Sequence, residues 1–81
     1  MDIESRLKKM IVERLYLKVE PESIENNASL MQTYGVDSVS LLELVVGLED
    51  EFDIEIDDDE FDVENFATVT ALREFVTPRI G

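Results

Sequence analysis

Gly35-Val36-Asp37-Ser38-Val39 ends a polar loop and opens a long apolar segment, Leu41 to Phe52. Within it Val39, Leu41, Leu42, Leu44, Val45, Val46, Leu48 and Phe52 leave few positions polar. A helix that is apolar on most sides must be buried on most sides, so a helix over about 37–52 belongs at the centre of a bundle. Asp37 is a good N-cap, which puts Ser38 at the first helical position, where backbone N–H groups lack helical partners. A competing start lies two residues on, where Ser40-Leu41-Leu42-Glu43 fits a capping box. Unpaired N–H groups and the positive end of the dipole both favour an anion at such a terminus, so a serine there is placed to carry a phosphodiester at the surface. One narrow stripe of this helix is polar or small: Ser40, Glu43, Gly47 and Asp50, with Glu49 and Glu51 at its end. It is expected to be the exposed side. Gly47 costs about 1 kcal/mol relative to Ala inside a helix, and on an exposed stripe it would let a partner backbone approach closely.

Upstream, Ile3, Leu7, Met10, Ile11 and Leu15 recur at spacings of three and four, which predicts an amphipathic first helix over about 3–17. Asp2 is its expected cap, Glu4 and Lys8 form a favourable i,i+4 pair, and its basic residues are expected on the solvent side. Val19-Glu20-Pro21 ends it. Residues 19–36 then form a long connection, with Pro21 placed to start one short turn. Ile24, Leu30, Met31 and Tyr34 would anchor this connection across the bundle. Downstream, Ile54, Ile56, Phe61, Val63 and Phe66 provide the buried side of a short third helix at about 58–64. Thr68 caps a last helix, about 69–77, with the stripe Val69, Leu72, Phe75, Val76, closed by Thr77-Pro78. The fold class expected is all-α: a four-helix bundle with a long first loop and a short third helix, in a single domain spanning 1–81.

Composition removes whole classes of chemistry. The 81 residues contain neither Cys nor His, so thiolate nucleophiles, disulfides, zinc–thiolate sites and the commonest general base are all excluded. A chain handling thioesters would need its thiol from an attached group, which argues against an enzyme acting alone. The net charge of −13 is uneven: residues 1–18 balance at +2 and residues 19–81 at −15. Such a field repels phosphate, so nucleic acid and membrane insertion are not expected, whereas basic protein surfaces are the natural complement. No apolar run approaches a membrane span and the N-terminus is too polar for a secretory signal, so a cytoplasmic monomer is the expectation.

Residues 49–64 hold eleven acids and no base. Asp57-Asp58-Asp59 suggests a calcium loop, but starts at Asp53, Asp57 or Asp58 all lack the glycine that the EF-hand requires at its sixth position. No metal site is expected.

Gly35-Val36-Asp37-Ser38-Val39, then Leu42-Glu43-Leu44-Val45 and Glu49-Asp50-Glu51-Phe52-Asp53-Ile54-Glu55-Ile56, resembles the acyl carrier proteins, and the likeness runs from about Ile3 to Val76. The resemblance implies a non-enzymatic carrier. Ser38 would bear 4′-phosphopantetheine, attached from coenzyme A by a phosphopantetheinyl transferase. The arm's thiol would hold acyl intermediates as thioesters and present them to fatty-acid, polyketide or related biosynthetic enzymes. Those acyl-loading, synthase and transferase enzymes would dock through basic surfaces. Asp37, Glu43, Glu49 and Asp50 match the family's acidic recognition face, which the polar stripe extends to Ser40 and Gly47. Val39, Leu44, Val46, Leu48, Ile56 and Phe61 are the candidates for a cleft sheltering the acyl chain, all of them equally suited to plain core packing.

Three features depart from the family pattern: Ser40 where many fatty-acid carriers have an acid, Asp57 where proline is common, and a longer stretch from Ile56 to Thr68 with bulky Phe61 and Phe66. They leave room for a pathway other than housekeeping fatty acid synthesis. Two further readings stand beside this one. One is an aminoacyl or peptidyl carrier, whose usual paired glycine before the attachment serine is missing here. The other is an unmodified acidic binding module, such as a divalent-ion buffer or an adaptor for basic proteins.

Overall fold

The computed structural model describes residues 2–80. It is all-helical, with α1 at Ile3–Leu15, α2 at Leu30–Tyr34, α3 at Ser38–Phe52 and α4 at Val69–Val76, and no strand among the described residues. Single 3-10 turns lie at Pro21–Ser23, Asp58–Glu60, Val63–Phe66 and Thr77–Arg79.

Caps set the helix starts. Asp2 accepts a hydrogen bond from Ser5 N at 2.7 Å, Asp37 from Ser40 N at 2.8 Å, and Thr68 from Ala71 N at 3.0 Å. Each satisfies one of the orphan donors of a first helical turn. Asp37, not Ser40, therefore begins α3. The first helix stops at Leu15, short of the expected 17, because Tyr16 turns left-handed at φ 54 and ends it.

Two expected elements differ. The long connection contains α2, which Ser29 caps through Gln32 N and Gly35 closes at φ 70. The expected third helix at 58–64 is replaced by the two 3-10 turns Asp58–Glu60 and Val63–Phe66, the second started by Asp62 accepting from Glu64 N. A short run so dense in acids gains little from continued α-helix, since like charges three and four apart repel.

Among the described residues fifteen buried apolar side chains make one core, drawn from every helix; Leu7, Ile11, Leu30, Leu41, Leu44, Leu48, Phe66, Val69, Leu72 and Val76 are fully enclosed within it. Phe66 stacks between Phe61 and Phe75, with ring centroids 5.5 and 5.3 Å apart. The long connection is sewn to the start of α4: Ala67 O accepts from Leu30 N, Asn26 O from Thr70 N, and Asn27 Oδ1 from Thr70 Oγ1. Ile24, Leu30 and Tyr34 anchor it as expected, while Met31 stays partly exposed. At the other end Arg79 pairs with Glu60, donates to Phe75 O and lies over the Phe75 ring, pinning the 58–60 turn to α4.

The helices α1 and α3 run antiparallel, and the contact is not purely apolar. Arg6 pairs with Glu51 at 3.0 Å and covers the Phe52 ring, Met10 lies against Gly47, and Arg14 reaches Glu43 and Asp50. Two arginines expected on the solvent side of the first helix therefore cross to α3. Glu4, expected to pair with Lys8, instead accepts from Asn26 Nδ2 at 3.4 Å. No helix among the described residues is long and apolar enough to cross a membrane.

Candidate functional site

Ser38 is exposed at the first position of α3, and its hydroxyl has no hydrogen-bond partner among the described residues. The Asp37 carboxylate beside it is held below its ordinary pKa, first by the Ser40 N–H it accepts and then by the Ser40 hydroxyl. The cap is therefore ionised at neutral pH and fixes the backbone from which Ser38 projects.

Residues 38, 42, 45 and 49 are spaced by four, three and four, so Ser38, Leu42, Val45 and Glu49 share one side of α3. Leu42 and Val45 form one wall of an open cavity of about 260 Å³, completed by Ile56, Asp57 and Phe61. Glu49 secures the opposite wall, its carboxylate accepting from Ile56 N at 3.0 Å. The serine thus heads a stripe that leads down into an apolar groove.

This geometry revises the cleft expected from the sequence. Ile56 and Phe61 do line the groove. Leu44 and Leu48 lie wholly in the core behind it, and Val39 and Val46 face outward with exposures of 72% and 46%. Leu42 and Val45 take their place. The spacing from Ser38 itself, four and seven residues on, was the available signal.

The polar stripe needs a larger correction. Gly47 is buried, and a Cβ added there would stand 2.7 Å from Met10 Sδ and 3.2 Å from Arg14 Cγ. The close approach that Gly47 permits is that of α1, not of a partner. Ser40 is half-buried, Glu49 is spent on Ile56 N, and Glu43 and Asp50 are exposed but bound to Arg14 at 3.1 and 2.7 Å. Of the expected recognition residues, only Asp37 stands exposed and free of a tertiary contact. The open side of α3 is instead Val39, Leu42 and Val46, an apolar stripe in an acidic molecule. Among the described residues no cluster of three or more carboxylates is arranged to hold a metal ion.

A family described as "Phosphopantetheine attachment site" matches residues 5–76. The chain belongs to that family. It is a carrier that works through a 4′-phosphopantetheine prosthetic group and is not itself an enzyme. The fold is similar to that of a holo acyl carrier protein from Nitrosomonas europaea, solved by NMR in solution. The TM-score is 0.80 at 25% identity, over 94% of this chain and 93% of that one. It is also similar to a structure of an engineered Bradyrhizobium japonicum glycine:[carrier protein] ligase complexed with a carrier protein from Agrobacterium tumefaciens and AMP. There the TM-score is 0.79 at 25% identity, over 90% of this chain and 96% of the matched chain.

The carrier's own residues suit that group. With no cysteine in the chain, the thiol has to arrive with the arm, and Ser38 offers an accessible, uncommitted hydroxyl at a helix N-terminus.

Proposed function

We propose that Ser38 is the attachment site and that this carrier holds acyl intermediates as thioesters for successive biosynthetic enzymes. The observation that carries this reading is the exposed, uncommitted Ser38 at the start of α3, heading the stripe that enters the groove. A transferase takes the hydroxyl proton as Ser38 Oγ forms a bond to the phosphorus of coenzyme A's phosphopantetheinyl arm, and the nucleotide part leaves. When bound, the group supplies a terminal thiol for carriage of the acyl chain. Asp37 holds the helix start rigid, and the first-turn N–H groups and dipole favour the phosphodiester. Leu42, Val45, Ile56 and Phe61 shelter the first carbons of a chain folded back along α3. The stripe Val39, Leu42, Val46 supplies the apolar contact for a docking enzyme, and the exposed acids around it draw basic enzyme surfaces. Soluble cytoplasmic partners suit a chain of this charge.

An aminoacyl cargo is the second reading. A structural relative at 25% identity accompanies a glycine:[carrier protein] ligase, and a groove of about 260 Å³ is small beside ordinary small-molecule sites. Loading assays on the modified carrier with fatty acyl and aminoacyl ligases separate the two.

Ser38→Ala tests the attachment site. It should abolish the mass gain from coenzyme A and a promiscuous transferase while leaving the helical spectrum intact, since Asp37 makes the cap and Ala favours a helix. Modification that persists in the variant, or that maps to Ser40, would overturn the assignment.

A further inference from the structure

We propose that Arg14 sets the partner preference of this carrier by holding Glu43 and Asp50 against α1, so that basic docking residues are directed to the acids beyond the end of α3. The proposal deepens the carrier reading and rests on it.

Glu43 and Asp50 lie seven residues apart, about 10 Å along the helix axis. One guanidinium serves both: Nη1 meets Glu43 Oε1 at 3.1 Å and Nη2 meets Asp50 Oδ2 at 2.7 Å. A planar fork can do this and a point-charge ammonium cannot do it as well. The crossing depends on the absence of a side chain at Gly47, because a Cβ there would press on both Met10 and Arg14. Arg14, Gly47 and the two acids therefore form one unit, with two negative charges offset by one positive.

Exposed pairs of this kind add little to stability, so the consequence lies in the field that a partner meets. Glu43, Asp50 and Arg14 together carry a net charge of −1 on the α1-side edge of the apolar stripe, held by the two ion pairs. Beyond the end of α3, Asp53, Glu55 and Asp57 are exposed and make no ion pair among the described residues. The surface thus fits an enzyme with an apolar hollow for Val39, Leu42 and Val46 and with its cations placed towards the 53–57 segment. An enzyme that aims its cations at Glu43 meets Arg14 instead.

The test is the kinetics of coenzyme A-dependent modification of the full chain by a phosphopantetheinyl transferase with a basic docking surface. Arg14→Gln keeps the stem over Gly47 and removes the charge. It should lower the KM for the carrier roughly three- to tenfold at low salt with kcat unchanged, and the difference should close at high salt as screening shortens the range. Arg14→Lys, which keeps the charge but cannot hold both acids as the planar fork does, should give a KM between those of the parent and Arg14→Gln. Adding Glu43→Gln to Arg14→Gln should return KM toward the parent, and Asp57→Asn should raise KM more than Glu43→Gln does in the parent. A folded Arg14→Gln protein with the parent's KM at low salt would overturn the proposal. So would a larger effect of Glu43→Gln than of Asp57→Asn in the parent, a comparison that remains decisive if Arg14→Gln fails to fold. A parent that gains no phosphopantetheinyl mass would overturn the carrier reading itself. Modification with unchanged KM throughout would overturn only the role of Arg14.

Discussion

Two sides of α3 lie outside the core, and they are the reverse of what their hydropathy suggests. The side bearing Ser40, Glu43, Gly47 and Asp50 looks like a solvated stripe, yet Gly47 is buried against α1, and Glu43 and Asp50, though exposed, are tied to Arg14. The side bearing Val39, Leu42 and Val46 looks like core, yet it is 72%, 56% and 46% exposed. A glycine and a long arginine can make a closer helix–helix contact than two branched apolar side chains. The stem of Arg14 lies across the bare backbone while its charged end reaches carboxylates at the rim. The apolar side is left uncovered, and it is there that the proposed docking enzymes would make their contact.

The comparison breaks most visibly at Gly47. Gly47→Leu puts a branched side chain where even a Cβ would stand 2.7 Å from Met10 Sδ, and overpacking of this kind costs about 1–3 kcal/mol. Replacing a helical glycine returns up to about 1 kcal/mol, so Gly47→Ala should melt near the parent and Gly47→Leu well below it. In a domain this small the fall should be roughly 5–10 °C, read by thermal denaturation of both variants. A Gly47→Leu protein that melts with the parent would show the α1 seam to be far looser than its distances.

On the opposite side the same kind of change should be nearly silent for stability. Val46→Ser alters an outward-facing position and should shift stability by no more than about 0.5 kcal/mol. The same variant should raise the KM for a docking enzyme, because an apolar contact is lost at the interface. A large loss of stability with unchanged KM would make Val46 a packing residue and return the stripe to the core.

What could be read from the sequence was what depends on neighbours along the chain. Asp2, Asp37 and Thr68 were legible as caps, and Pro21 as the start of a turn, because each works through backbone groups two or three residues away. The helix at Leu30–Tyr34 carried the same kind of signal, Ser29 before it and Gly35 after it, in a segment too short for periodicity to show. The phase of α3 was not legible in this way. A helix with apolar residues on most sides can be turned several ways at little change in buried area. The choice made here is set by Arg14 and Met10, which lie more than thirty residues upstream of Gly47. The groove inherits the same problem: Ile56 and Phe61 were identifiable as apolar residues after the acidic helix end, but the facing wall depends on how α3 is turned. The acidic third element failed as a helix because its acids crowd three and four apart.

The smallest effect expected lies where both sides of α3 begin, at the Asp37 cap. Its carboxylate accepts the Ser40 N–H at 2.8 Å and is held below its ordinary pKa of 3.8 by that bond. A carboxyl depressed in the folded state contributes stability that is fully present above its unfolded pKa, and this is lost as pH falls through the lower folded value. Asn caps a helix about as well as Asp but cannot titrate. Asp37→Asn should therefore melt close to the parent at pH 7 and lose less stability than the parent between about pH 4 and pH 2. Melting midpoints across that range, at constant ionic strength, give the difference directly. If the two curves remain parallel down to pH 2, the Asp37 cap is not the titrating group. A gap already present at pH 7 would mean that the charge, and not the hydrogen bond to Ser40, holds the start of α3. In that case Ser38 would sit at a terminus whose field is already partly offset by its neighbour, and the attraction for a phosphodiester there would be correspondingly weaker.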